Sequence, residues 1–211
     1  MRKLLSLFAT VLAACSSSDS GPSYTVSGSA VAFDSTSGCA LDVSTTVGVS
    51  IAVVNVTDYS APTACASMQG NTVAANGAAA GLLLVRADFT TSGGPAPGLA
   101  AETYPYFDIA TLAPPASKIP PFDATGKAAF FTGALVKCPG AARSAINGGS
   151  VTVTAVNETA GTISGSVDAS LEGGGSIKGT FTASRCTGVP DIDVCAAVQA
   201  LSLNLTPPTC Q

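Results

Sequence analysis

The chain has 211 residues, of which 46% are apolar and 10% charged, with nine basic and thirteen acidic side chains, a net charge of −4 and no histidine. A chain of this length and apolar content can bury a core, so its low charge does not mean disorder. The acidic balance argues against nucleic acid as a partner, and the lack of histidine excludes Ser-His-Asp triads, Cys-His pairs and histidine zinc sites.

At the start, Arg2 and Lys3 precede an apolar run from Leu4 to Ala14 that only Ser6 and Thr10 interrupt. Eleven helical residues rise about 16 Å, short of the ~30 Å hydrocarbon core, so this run is no membrane span. A basic start, a short apolar stretch and small residues before a cleavage point describe a secretory signal over residues 1–14. The tetrapeptide Leu12-Ala13-Ala14-Cys15 resembles the lipobox of bacterial lipoproteins. That resemblance implies a diacylglyceryl thioether on Cys15, cleavage before it and acylation of its new amino group. Several acyl chains, at about 0.8 kcal/mol per buried methylene, hold far more firmly than the marginal grip of one. Cys15 is thus the expected lipid attachment, and the membrane, reached through that lipid, the expected partner. Ser16 stands where an Asp is associated with inner-membrane retention, which by the family's rule implies the outer membrane. Residues 16–23, SSSDSGPS, have no apolar side chain, so residues 15–23 read as a flexible tether. Cleavage leaves 197 residues and seven basic against thirteen acidic side chains, net −6. Residues 24–211 are expected to form a single β domain.

Along that domain, residues 24–33, YTVSGSAVAF, alternate with Tyr24, Val26 and Ala30 on one face. From Leu41 to Val53 the odd positions, including Val43, Val47, Val49 and Ile51, are apolar, opposed by Asp42, Ser44, Thr46 and Ser50. Thirteen residues is long for one strand, which predicts a bulge or bend near Gly48. Residues 61–69, APTACASMQ, predict a short helix. LLLVRADF at 82–89 is apolar on both sides at its start, as a strand covered on both faces would be. Breaker-rich stretches at 90–98 and 113–127 predict long loops, a frequent seat of binding surfaces. Between them ETYPYFDIA gathers Tyr104, Tyr106 and Phe107. Such a cluster could stack on sugar rings or grip a protein partner, although a strand whose tyrosines cover the edge of the core explains it better. AAFFTGALVK at 128–137 is a further strand. Residues 151–156, 162–171 and 177–184 then alternate cleanly: Ile163, Gly165, Val167, Ala169 and Leu171 face one way, and Ile177, Gly179, Phe181 and Ala183 repeat the pattern. They predict a three-strand antiparallel meander with one face in water. Residues 191–200 predict a second short helix capped by Asp191.

Besides Cys15 there are six cysteines, Cys39, Cys65, Cys138, Cys186, Cys195 and Cys210, an even set that in an exported chain reads as three disulfides. Cys195 and Cys210, whose short closed loop could fold back locally, are the expected pair. A metal site is the rival, but no Cys-x-x-Cys occurs. Neither a Gly-x-Ser-x-Gly elbow nor a phosphate loop around Gly126-Lys127 is present. The acids are scattered, and Asp191-x-Asp193 is better read as helix capping than as a calcium site. No catalytic residue, cofactor or metal is expected.

Together these features predict an all-β fold, an antiparallel sandwich or barrel with one or two short helices, stapled by disulfides. VNVTDYSAPTACASM, LLLVRADF and GTISGSVDASL with SIKGTFTASRC resemble segments of uncharacterised all-β lipoproteins of proteobacteria, a resemblance that implies no activity. The function expected is that of a non-enzymatic lipoprotein of the outer membrane with a structural or binding role toward an unidentified protein or glycan. The alternatives are a barrel carrying a small apolar ligand and, further off, a glycan hydrolase built on two carboxylates. Thiol titration of the oxidised mature protein, denatured but unreduced, is expected to find no free thiol; two or more would refute the three-bridge framework.

Overall fold

A computed structural model describes residues 21–40, 46–88, 94–108, 111, 123–140, 142–189 and 209–211. Its strands are β1 (Ser23–Thr25), β2 (Gly28–Ala40), β3 (Thr46–Thr57), β4 (Thr72–Val73), β5 (Ala78–Asp88), β6 (Thr103–Pro105), β7 (Lys127–Lys137), β8 (Ala142–Asn157), β9 (Thr162–Leu171), β10 (Ser176–Arg185) and β11 (Thr209–Cys210), with one helix, α1 (Ala61–Gly70). Seven of the strands, β2, β3, β5, β7, β8, β9 and β10, pair in that order as a meander and close into a barrel when β10 meets β2. Of the two architectures the sequence leaves open, the barrel forms.

Six of the seven joints are antiparallel and the seventh, β10 to β2, is parallel. An odd ring of alternating strands must contain one such joint, because its first and last members run the same way. The parallel seam has two register pairs, Ser184↔Ala30 and Arg185↔Val31. β1 runs ahead of β2 along the same edge, with Ser23, Tyr24 and Thr25 opposite Ser176, Ile177 and Lys178. Residues 21–23, expected at the end of the flexible tether, therefore lie against the barrel, where Ser176 N donates to Pro22 O at 3.3 Å.

The meander β8–β9–β10 forms as expected, and the odd residues of β9 from Ile163 to Leu171 are buried inside the barrel. Gly165 sits opposite Phe181, whose ring fills the space a side chain would take; a Cβ on Gly165 would stand 3.1 Å from that ring and 2.3 Å from the Thr152 carbonyl oxygen. β5 is buried on both faces: Leu82 and Leu84 belong to the barrel core, while Leu83 and Val85 join a second apolar cluster. That second cluster lies on the outside of β3, β5 and β7, and includes Val47, Val49, Ile51 and Phe130.

β3 corrects the sequence reading in one way. Its odd residues up to Val53 face the outer cluster, and Ala52, Val54 and Val56 fill the barrel, so from Ile51 to Val54 both faces are apolar. The expected irregularity near Gly48 occurs in the pairing with β2, whose register shifts between Thr36 and Cys39 opposite Val49 and Val47, while the pairing with β5 stays regular. Gly48 is also a close-approach point, since a Cβ there would come within 2.5 Å of the Pro95 carbonyl oxygen. The expected positions Leu41 and Val43 and the helix over 191–200 lie outside the described residues.

Helix α1 begins after Ser60 with Pro62 in its first turn, where proline's missing N–H costs nothing, and ends at Asn71 in the left-handed conformation. Cys65 of α1 bonds to Cys186 just past β10, with Cα atoms 5.5 Å apart. Cys138, at the end of β7, bonds to Cys210 of β11, Cα atoms 5.7 Å apart, so the expected Cys195–Cys210 bridge does not form. The reason is tertiary: β11 pairs parallel with β4 and so carries Cys210 to the end of β7. Cys39 is also disulfide-bonded and fully buried, its partner lying outside the described residues, as do Cys15 and Cys195. Bridges spanning 121 and 72 residues would each, taken alone, restrict the unfolded chain by about 4–5 kcal/mol in the chain-entropy account. Gly165→Ala is expected to cost about 1–3 kcal/mol, toward the upper end because the backbone oxygen it meets cannot turn away, as measured by denaturant unfolding.

Candidate functional site

The aromatic cluster and the loop before it are placed by a gap in the barrel wall. β7 and β8 pair only over residues 134–137 with 142–145. Beyond that point β8 bends away through two register shifts, one at Ile146/Gly148 and one at Val153/Ala155, with Gly149 at φ 99°. β6 fills the opening. Thr103, Tyr104 and Pro105 pair with Thr152, Val151 and Ser150 on one side, while Phe107 N donates to Phe131 O at 2.8 Å on the other.

This wedge decides where each aromatic residue goes. Tyr104 is 0% exposed and part of the barrel core. Tyr106 is half-buried, edge-on to Phe131 with ring centroids 5.9 Å apart. Phe107 is buried in the outer cluster against Phe130, centroids 5.2 Å apart. The expected binding surface of Tyr104, Tyr106 and Phe107 is therefore corrected: the three point into different environments, and two of them serve the cores.

The Tyr104 hydroxyl donates to Ala100 O at 3.2 Å and accepts from Ala100 N at 3.1 Å. Burial pushes its pKa up from 10.0 to about 12, against the opposing pull of the Ala100 hydrogen bond. Around it, residues 94–102 fold across one end of the barrel. Leu99 enters the core, and its N–H donates to Glu158 Oε1 at 3.1 Å. Arg86 donates to Gly98 O at 2.7 Å and forms an ion pair with Glu102, Nε to Oε1 2.9 Å. The sequence reading missed this closure. Its signal was a single arginine in the apolar strand LLLVRADF at the inward-facing phase of Leu82 and Leu84, a position that demands an anion or carbonyls nearby.

Other polar groups serve turns and edges. Asp123 Oδ1 accepts from the Thr125 hydroxyl at 2.6 Å, from Thr125 N at 2.7 Å and from Lys127 N at 3.0 Å, and the hydroxyl's hydrogen bond, followed by that of Lys127 N, holds its pKa below the usual value. Asp58 Oδ1 accepts from Ala78 N at 2.8 Å, and Asp168 pairs with Lys178 at 3.2 Å on the exposed face. At the opposite end of the barrel, an opening of about 10 Å³ between Tyr24, Val26, Val56, Ala80, Leu135 and Ile177 has room for one water. Among the described residues no three histidine, cysteine, aspartate or glutamate side chains come together to hold a metal, and no helix is long and apolar enough to cross a membrane. Comparison of the chain with protein-family models, curated proteins and solved structures finds no match.

Tyr104→Phe is expected to cost about 1–2 kcal/mol at pH 7, read by urea unfolding, because it leaves the Ala100 groups without their partner. The phenol's folded pKa is raised, so its contribution is complete below pH 10 and is lost as pH rises from 10 to about 12, where the unfolded chain ionises first. The gap between wild type and variant is expected to close over that window, because linkage at about 1.4 kcal/mol per pKa unit is as large as the gap itself. A constant gap would refute the buried phenol.

Proposed function

We propose that this chain is a lipoprotein of the outer membrane, held by acyl chains on Cys15, whose barrel serves the cell envelope as a structural or binding module and not as an enzyme. The observation that carries this reading is the order Arg2-Lys3, short apolar run, Leu12-Ala13-Ala14-Cys15 and polar tether, which together specify export and acylation at one cysteine. The disulfide-bonded cysteines fit an oxidising compartment outside the cytoplasm.

The filled barrel favours a module that works through its surface over a carrier. Phe131, Phe181, Tyr104 and Leu99 occupy the interior where a lipocalin-like carrier would keep a ligand cavity. A carboxylate-based hydrolase needs two acids facing each other across a substrate, whereas Asp58, Glu102, Asp123, Glu158 and Asp168 are each engaged by strand ends, turns or ion pairs of the fold itself.

Replacing Cys15 by Ser is expected to abolish labelling by radioactive palmitate and to move the protein from the outer-membrane fraction to soluble or inner-membrane-retained precursor. Full recovery of the variant with the outer membrane would overturn the anchor.

A further inference from the structure

The end of the barrel from which the N-terminal segment leaves is fixed by contacts that have no role in the site described above. Gly21 lies so close to the β9–β10 turn that a Cβ on it would stand 2.5 Å from the Gly174 carbonyl carbon. Beside it, Ser176 N donates to Pro22 O, and the Ser23 and Ser176 hydroxyls meet at 3.2 Å. From Ser23 the chain is paired into the wall along β10. The exit point is therefore part of the rigid barrel.

We infer that the barrel stands on its β9–β10 turn with the end closed by residues 94–102 directed away from the membrane, an orientation that rests on the acylation of Cys15 proposed above. Gly21 is six positions along the chain from Cys15, a reach of at most about 22 Å even when fully extended. β10 runs ten residues from Ser176 at the exit end to Arg185 at the other, about 33 Å along the strand. At that far end Arg185 N donates to Gly161 O, and the adjoining Glu158 accepts from Leu99 of the closing loop. The tether is thus shorter than the barrel it holds, and the two ends cannot be equally close to the attachment point.

The test uses the full-length lipidated protein in anionic vesicles that contain a headgroup-labelled acceptor lipid. A donor dye is attached through Glu172→Cys or, at the opposite end of β9, through Thr159→Cys; both positions are exposed. Energy transfer to the membrane is expected to be several-fold greater from position 172 than from 159. Flotation with the vesicles but equal or reversed transfer overturns the orientation alone. Failure to float overturns the acyl attachment, and the orientation with it.

Discussion

A ring of seven alternating strands closes only if its first and last members lie side by side in the same direction, and that parity constraint governs much of this structure. The joint it imposes, β10 on β2, has two register pairs, where its antiparallel neighbours β2–β3 and β9–β10 zip along most of their length. The surrounding elements compensate. β1 extends the edge upstream, Cys186 N donates to Val31 O at 2.8 Å downstream, and α1 lies over the seam with Ala64 packed against Ala30 and Cys186. The Cys65–Cys186 disulfide ties that helix to the strand on the far side of the joint. A covalent link across the shortest hydrogen-bonded joint is where a cross-link restricts opening most, since the other joints are each held by a longer ladder.

A second weak place, between β7 and β8, is handled differently. There the wall opens and a short strand fills it, with Tyr104 inward and Thr103 and Pro105 outward. Because β6 is reached through the loop that closes the barrel end, wedge and cap are one continuous segment, held by the Tyr104–Ala100 pair, by Arg86 and by Glu158. The arrangement packs Leu99 and Tyr104 into the interior at this end. It also places Tyr104 and Phe107 in the packing of the two cores.

Much of the wall was legible in the sequence because period-two alternation reports directly which side of a strand is buried. The meander β8–β9–β10, the doubly covered β5 and the position of α1 all follow from local pattern. The reading weakened wherever burial came from a second layer. In β3 the odd residues were rightly seen as apolar, but they cover the outside of the barrel, and the residues that fill it are their neighbours. The aromatic stretch makes a related point: composition shows that Tyr104, Tyr106 and Phe107 are adjacent, but only the gap between β7 and β8 determines which core each of them joins.

By itself the sequence determined the strand periodicity, the all-β class, the likeness of residues 12–15 to a lipobox and the existence of a disulfide framework, because each depends on residues adjacent in the chain or on a count. Tertiary structure alone decided that the sheet closes, that Cys138 takes Cys210 and Cys65 takes Cys186, and that Arg86, Glu102 and Glu158 meet at one end. Those partners lie between 16 and 121 residues apart, and no local preference encodes such a meeting. It follows from burying two apolar faces at once around a ring whose strand number forces its first and last members together.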